Sequence, residues 1–128
     1  MSAADPIFSA MGAASSGMKA QSFRLRISAE NLSNVDTPGY QRKLLFLREV
    51  ENGGTEVDRL RLSPKPGREL YDPYHPLADG NGMVRFSNVD MMVEMADARE
   101  ARRSFDANLE VFEQAQDFYR GLLGILQK

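Results

Sequence analysis

Cysteine is absent from the 128 residues, which excludes disulfides, thiolate metal sites and cysteine nucleophiles. Histidine occurs once, as His75 between Tyr74 and Pro76, and with no catalytic partner in view it reads as a structural or solvated side chain. There is no basic excess: 16 basic residues stand against 18 acidic ones, so the concentrated positive surface of a nucleic-acid binder is not expected. No stretch approaches the roughly 18 consecutive apolar residues of a direct membrane span. The N-terminal MSAADPIFSAMGAASSGMKA carries Asp5 and Pro6 where a basic n-region belongs and has no sustained apolar run, so a Sec-type signal is not expected either. GxSxG, P-loop, GxGxxG and HExxH motifs are all missing. Asp79-Gly80-Asn81-Gly82 falls short of a calcium loop because Met83 stands where a ligand is needed, and it reads as a tight turn. The expectation is a protein without enzymatic activity, catalytic residues, cofactor or metal.

What is present fits one modest domain. Hydrophobic residues make up 42% and charged residues 27%, which is normal for a folded soluble chain and argues against bulk disorder. The chain divides into a helix within 1–34, a turn, strand and loop region over 35–87, and a second long helix within 88–128. In the first, Ile7, Met11, Ala14, Met18, Gln21, Leu25, Ser28 and Leu32 recur at alternating spacings of four and three, a heptad-like stripe. Gly12, Gly17, Ser15 and Ser16 weaken that helix, each glycine by about 1 kcal/mol relative to alanine.

The C-terminal segment is stronger. One stripe runs Met95, Ala98, Arg102, Phe105, Leu109, Phe112, Gln116, Tyr119, Leu123, Leu126, and an adjacent one runs Val111, Ala115, Phe118, Leu122, Ile125. Two neighbouring stripes exceed what a single two-stranded seam requires. A helix of this length, apolar over a wide arc, needs cover from beyond its own chain. The predicted fold class is therefore mainly α: long N- and C-terminal helices pairing as an antiparallel coiled-coil-like bundle, with a small β-hairpin and loop region between them. Lys19, Arg24 and Arg26 on the first helix and Asp106, Glu110, Glu113 and Asp117 on the second either favour pairing of the two helices or form solvated faces.

In the middle, Leu44–Leu47 and the alternating Val57, Leu60 and Leu62 predict two short strands around an Asn52-Gly53-Gly54-Thr55 turn. Pro64, Pro66, Pro73 and Pro76 predict an ordered loop without regular structure, pinned by Tyr71, Tyr74 and Leu77, before a short strand at Met83–Phe86. After the first helix comes Ser28-Ala29-Glu30-Asn31-Leu32-Ser33-Asn34-Val35-Asp36-Thr37-Pro38-Gly39-Tyr40. Thr37 before proline is pushed toward an extended conformation. Pro38-Gly39 fits a type II turn, a left-handed Asn34 would end the helix, Asp36 would bond nearby amides, and Tyr40 would anchor the exit.

Through Ala29, Asn31, Asn34, Thr37, Pro38, Gly39 and Tyr40 that segment resembles the ANxxNxxTPGY signature of flagellar rod and hook proteins, with Glu30 falling between Ala29 and Asn31. Asn88-Val89-Asp90, Glu94-Met95 and Arg103-Ser104-Phe105-Asp106-Ala107-Asn108-Leu109 resemble the closing helix of the same family. The run from Tyr71 to Val84 is similar to the D-P-x-H-P-x-A-D-x-x-G-x-V run of a proximal-rod member. Phe86-Ser87 departs from the family's usual proline before Asn-Val. The resemblance implies a structural subunit of the bacterial flagellar basal-body proximal rod, assembling helically to pass motor torque to the hook, or else another axial component. It implies copies of the chain, other rod subunits and the flagellar type III export apparatus as partners, and the periplasmic rod as location. It also implies terminal segments that complete their folding on docking. The residues expected at assembly contacts are Met11, Met18, Leu25, Asn31, Leu32, Asn34, Thr37, Pro38, Gly39 and Tyr40 on the N-terminal side. On the C-terminal helix they are Phe105, Asn108, Leu109, Val111, Phe112, Phe118, Tyr119, Leu122, Leu123 and Leu126. A small enzyme would need a cluster to line a pocket, and a cytosolic helical hairpin would lack the TPGY segment.

Overall fold

The computed structural model describes residues 5–127. Along the chain lie α1 (Asp5–Ser33), β1 (Lys43–Glu49), β2 (Thr55–Leu62), β3 (Glu69–Tyr71), β4 (Met83–Arg85) and α2 (Met91–Leu126). The architecture is mainly α, two long helices bracketing two small antiparallel hairpin sheets, β1–β2 and β3–β4. Asp90 starts α2 by accepting hydrogen bonds from the amides of Met92 and Val93, groups that a helix N-terminus otherwise leaves unpaired. The 36 residues of α2 extend about 54 Å at 1.5 Å each.

The helices run antiparallel. The Phe8 and Tyr119 rings meet at a tilt, 4.9 Å between centres, near one end, and Asn31 bonds Glu94 at the other. Between these ends α1 buries Ile7, Ala14, Gly17, Ala20, Ile27, Ser28 and Asn31. The opposing face of α2 is Glu94, Ala98, Ala101, Phe105, Asn108, Phe112, Ala115, Tyr119 and Leu122. The seam is thus centred one or two residues away from several positions in the heptad stripe: Gly17, Ile27 and Asn31 are buried, while Met18, Leu25 and Leu32 sit half-buried on its flank. Small residues win the centre because they let two backbones approach. Gly17 is the tightest case, since a Cβ there would stand 2.6 Å from the Asn108 Nδ2. On α2 the shift is the same: Met95, Leu109 and Leu123 lie exposed to one side of the seam, and Val111, Phe118 and Ile125 to the other.

The expected hairpin forms, with β1 and β2 paired antiparallel from Lys43 opposite Leu62 to Glu49 opposite Thr55. A bulge at Phe46/Leu47 inserts Asp58, and the Arg59 guanidinium lies 4.6 Å from the Phe46 ring centre. The turn rests on α1, where the Ser16 hydroxyl donates to the Ala13 carbonyl and accepts from the Thr55 amide.

Three expectations for the middle region are corrected. The proline-rich stretch does contain regular structure: β3, between Pro66 and Pro73, pairs with β4 through Glu69–Arg85, Leu70–Val84 and Tyr71–Met83. Prolines bar ladder bonds only at their own amides, and these six positions hold none. Tyr71, Tyr74 and Leu77 do not pin the loop, since all three are exposed and Tyr74 is 96% so. Backbone bonds do that work, together with Asp79, whose carboxylate accepts from the amides of Asn81 and Met83. This is the tight turn expected of Asp79–Gly82, with Gly82 at φ +76°. Asn34 is not left-handed, because glycine alone takes positive φ among the described residues. The last turn of α1 instead tightens through Asn34 N–H to Asn31 O and Val35 N–H to Leu32 O, a three-residue closure common at helix ends.

The seam geometry gives opposite expectations for two glycines of α1. Gly12→Ala, with nothing within 4 Å of the new methyl, should raise the thermal midpoint by the equivalent of about 1 kcal/mol. Gly17→Leu, although leucine favours helix, should lower it by driving Asn108 from its seat. Circular dichroism melts of the two variants check this.

Candidate functional site

Where α1 ends, four segments converge on one side chain. Asn31 is 1% exposed, and its carboxamide satisfies all four of its hydrogen-bonding positions. The Nδ2 donates to the Lys43 carbonyl at 3.0 Å and to Glu94 Oε1 at 3.2 Å. The Oδ1 accepts from the Tyr40 hydroxyl at 2.8 Å and the Lys43 amide at 3.0 Å. Toward Lys43 the amide behaves as a neighbouring strand would, receiving N–H and offering N–H, so α1 extends the ladder of β1. Tyr40 reaches this point because Pro38-Gly39 reverses the chain, with Gly39 at φ +76°, and because the Gly39 amide bonds the Arg85 carbonyl at 3.1 Å.

Glu94 on α2, also 1% exposed, is charge-paired by the Nε of Arg42, whose NH2 group reaches Asp97 at 2.9 Å. Arg24 of α1 meets Asp97 and Glu100 at 3.7 and 3.3 Å. Lys43 donates to Glu30. Charge pairing between the helices occurs through Arg24 with Asp97 and Glu100, not with the acids from 106 to 117, because the antiparallel register brings Arg24 level with the first turns of α2. A second tie lies beside the first. Asn88 accepts from the Arg42 amide at 2.6 Å and donates to the carbonyls of Ser63 and Lys65. Ser87, just before Asn88, donates its hydroxyl to the Val35 carbonyl, a bond that needs a side-chain donor at this position.

The site residues read from the sequence divide by place. Asn31 is inside the knot, and all its bonds lie within the chain. Asn34 caps locally, its Nδ2 on the Glu30 carbonyl at 2.9 Å and its Oδ1 on the Thr37 hydroxyl at 3.1 Å. Met11, Met18, Leu25, Leu32, Phe105, Asn108, Phe112, Tyr119 and Leu122 are half-buried along the helix pair, whereas Leu109, Val111, Phe118, Leu123 and Leu126 face outward. Thr37 and Gly39 are exposed in the turn, with Pro38 half-buried between them. Asp36 meets Arg68 at 3.4 Å rather than backbone amides. Sequence reasoning does not reach Arg42, Lys43 and Asp97. Charged residues turned inward, whether on α2 like Asp97 or around the start of β1 like Arg42 and Lys43, carry no hydrophobic signal, and only the position of Arg42, two residues after the turn, hints at them. His75 accepts from the Leu77 amide and meets Phe86 edge-on, a structural placement. Among the described residues no cluster of three metal-ligating side chains occurs.

Residues 11–41 match the family described as flagella basal body rod protein, and residues 81–124 match the C-terminal region described for flagellar basal body rod FlgEFG proteins. The chain belongs to the flagellar basal-body rod proteins, a structural family and not an enzyme family. Within that class its relatives are FlgC proteins. It is 40% identical to the flagellar basal-body rod protein FlgC of Agrobacterium fabrum, over 96% of this chain and 97% of the relative. With FlgC of Salmonella typhimurium it shares 37% identity over 77% of this chain and 81% of the relative. With that of Borreliella burgdorferi it shares 28% over 94% and 98%.

Breaking the knot should be expensive. Asn31→Ala strands several partners and should cost about 2–4 kcal/mol, and Arg42→Ala should cost about 3–5 kcal/mol by leaving buried Glu94 without its cation. Urea titrations of each variant measure this. Burial, then the charge of Glu30, raises the Tyr40 hydroxyl above its ordinary 10.0, and the hydrogen bond to Glu30 raises Lys43 above 10.5. Both groups favour their protonated forms when folded, so their contribution is complete below about pH 10 and is lost as pH climbs through the raised values. The urea midpoint should fall on the alkaline side, and Tyr40→Phe should remove the tyrosine part of that slope.

Proposed function

We propose that the chain is a proximal-rod subunit that packs helically with copies of itself and with other rod subunits, forming a stiff shaft that carries motor torque to the hook. The observation that supports this is apolar surface left without cover. The chain exposes 9073 Å², whereas a compact monomer of 14.3 kDa exposes about 6,800 Å². On α2, Phe118, Ile125 and Leu126 are 64%, 70% and 80% exposed, in company with Val111, Leu109 and Leu123. Contiguous patches of this kind mark contact surfaces. One flank of the seam would meet one neighbour and the other flank another, and an interface of unlike surfaces that does not close builds a helix rather than a ring.

In this reading the helices within 1–34 and 88–128 form the axial core, and residues 35–87 stand beside it. Met11, Met18, Leu25 and Leu32 border the same contacts from α1, and the Thr37–Tyr40 turn sets the angle at which the middle region leaves. Among the described residues the buried apolar side chains are few, and half are alanines: Ile7, Ala14, Ala20, Ile27, Val84 and Ala101. So thin a core leaves part of the folding energy to be gained on docking. That suits a subunit delivered through the flagellar type III export apparatus and assembled in the periplasm.

Phe118→Asp and Val111→Asp place a charge on exposed positions and should change the stability of the purified chain by no more than about 0.5 kcal/mol. Both should abolish swarming in soft agar and leave basal bodies without complete rods. Normal swarming by both variants would refute the assembly role of this face.

A further inference from the structure

The hairpin and α1 enclose a groove of about 580 Å³. One wall is the α1 stripe Gly12, Ser16, Lys19, Phe23 and Arg26, and the other is formed by Val50 and Val57 near the hairpin turn. From Gly12 to Arg26 the stripe runs fourteen positions along the chain, about 21 Å of helix. Its lining is apolar in the middle, and Lys19 and Arg26 stand on its outer edge.

We infer that this groove receives the outer face of α2 from a second copy of the chain, an assignment that rests on the rod-subunit reading above. The uncovered stripe Val111, Phe118, Ile125 also runs fourteen positions and has the same length of about 21 Å. Glu110 and Asp117 flank it, seven residues apart, as Lys19 and Arg26 are. Each pair of charges is therefore separated by about 10.5 Å along its helix. Among the described residues none of these four side chains forms an ion pair within the chain, and Arg26 only stacks on Phe23 at 5.3 Å. Glu56, the one acid lining the groove, is held by Arg48. Arg120 lies on the side of Asp117 away from the apolar stripe, at 100° per residue.

The same rotation fixes direction. On both helices the charges lie on the same rotational flank of the apolar stripe, so antiparallel docking brings acids onto bases and parallel docking separates them. Lys19 then meets Asp117, and Arg26 meets Glu110, of the neighbouring copy. Groove and stripe are different surfaces, so each copy offers one of each and the contact repeats without closing.

Two single-cysteine forms of the full chain, Lys19→Cys and Asp117→Cys, test the assignment, since the native chain has no cysteine. Co-expressed in motile cells in place of the native chain and oxidised, they should yield a disulfide-linked species of twice 14.3 kDa, and neither form alone should. Separately, Glu110→Lys with Asp117→Lys should reduce swarming at least tenfold with helicity unchanged, and adding Lys19→Glu with Arg26→Glu should restore it to within twofold. Absence of the linked species together with failure of the charge swap overturns the groove assignment, and so does unchanged swarming after the first reversal. If Phe118→Asp still abolishes rods in that case, the assembly role of α2 stands and its occupant is a different rod protein. If Phe118→Asp and Val111→Asp are both harmless, the rod-face reading itself falls.

Discussion

The structure depends on the Asn31 carboxamide and the Glu94 carboxylate that it meets. They join the end of one long helix to the start of the other, and through Tyr40, Arg42 and Lys43 they bind both to the intervening sheet. An antiparallel helix pair with so few buried apolar residues has little to define its axial position, because heptad contacts repeat and one register resembles the next. Buried polar groups supply the missing definition, since any displacement leaves them unpaired in a site closed to water. Glu94 with Arg42 adds little net stability over an apolar pair of the same shape. What the pair contributes is a single permitted alignment, and with it a fixed angle between the helices and the middle region.

The uncovered side of α2 follows from the same division of labour. The seam takes the residues nearest its centre line, Ala98, Ala101, Phe105, Asn108, Phe112, Ala115 and Tyr119, and leaves apolar rows on both flanks. A monomer would be better served by a narrower apolar arc. Two flanking rows make sense when each helix has several helices around it, as in a packed shaft, where burial is shared among molecules and no single chain holds a complete core.

Much of this is legible in residue order. The presence of a long α2, the hairpin with its Gly53 turn, the turn at Pro38-Gly39 and the surplus of apolar rows all follow from periodicity and turn chemistry. The centre of the seam is harder to read, because Gly17 and Ala14 add little apolar bulk to a repeating pattern while Met18 and Leu25 beside them add much. A stripe drawn through the large side chains therefore falls one or two residues off the true contact line. The knot is half legible. Asn31 and Tyr40 stand out within a recognisable segment, but Glu94, Arg42 and Asp97 look like ordinary solvated charges. Nothing local reveals that a carboxylate sixty-three positions away shares a bond with an asparagine. The β3–β4 ladder is hidden by prolines on either side of it.

The seating of Asn108 against Gly17 has a mechanical meaning. Sliding the helices by one heptad would move that amide from glycine onto Ala10 or Arg24, where a Cβ already fills the space. Shear between the two rods of the subunit is therefore opposed by hard contact in both directions, like a key in a slot. The two helices of one subunit therefore move together as a single stiff element.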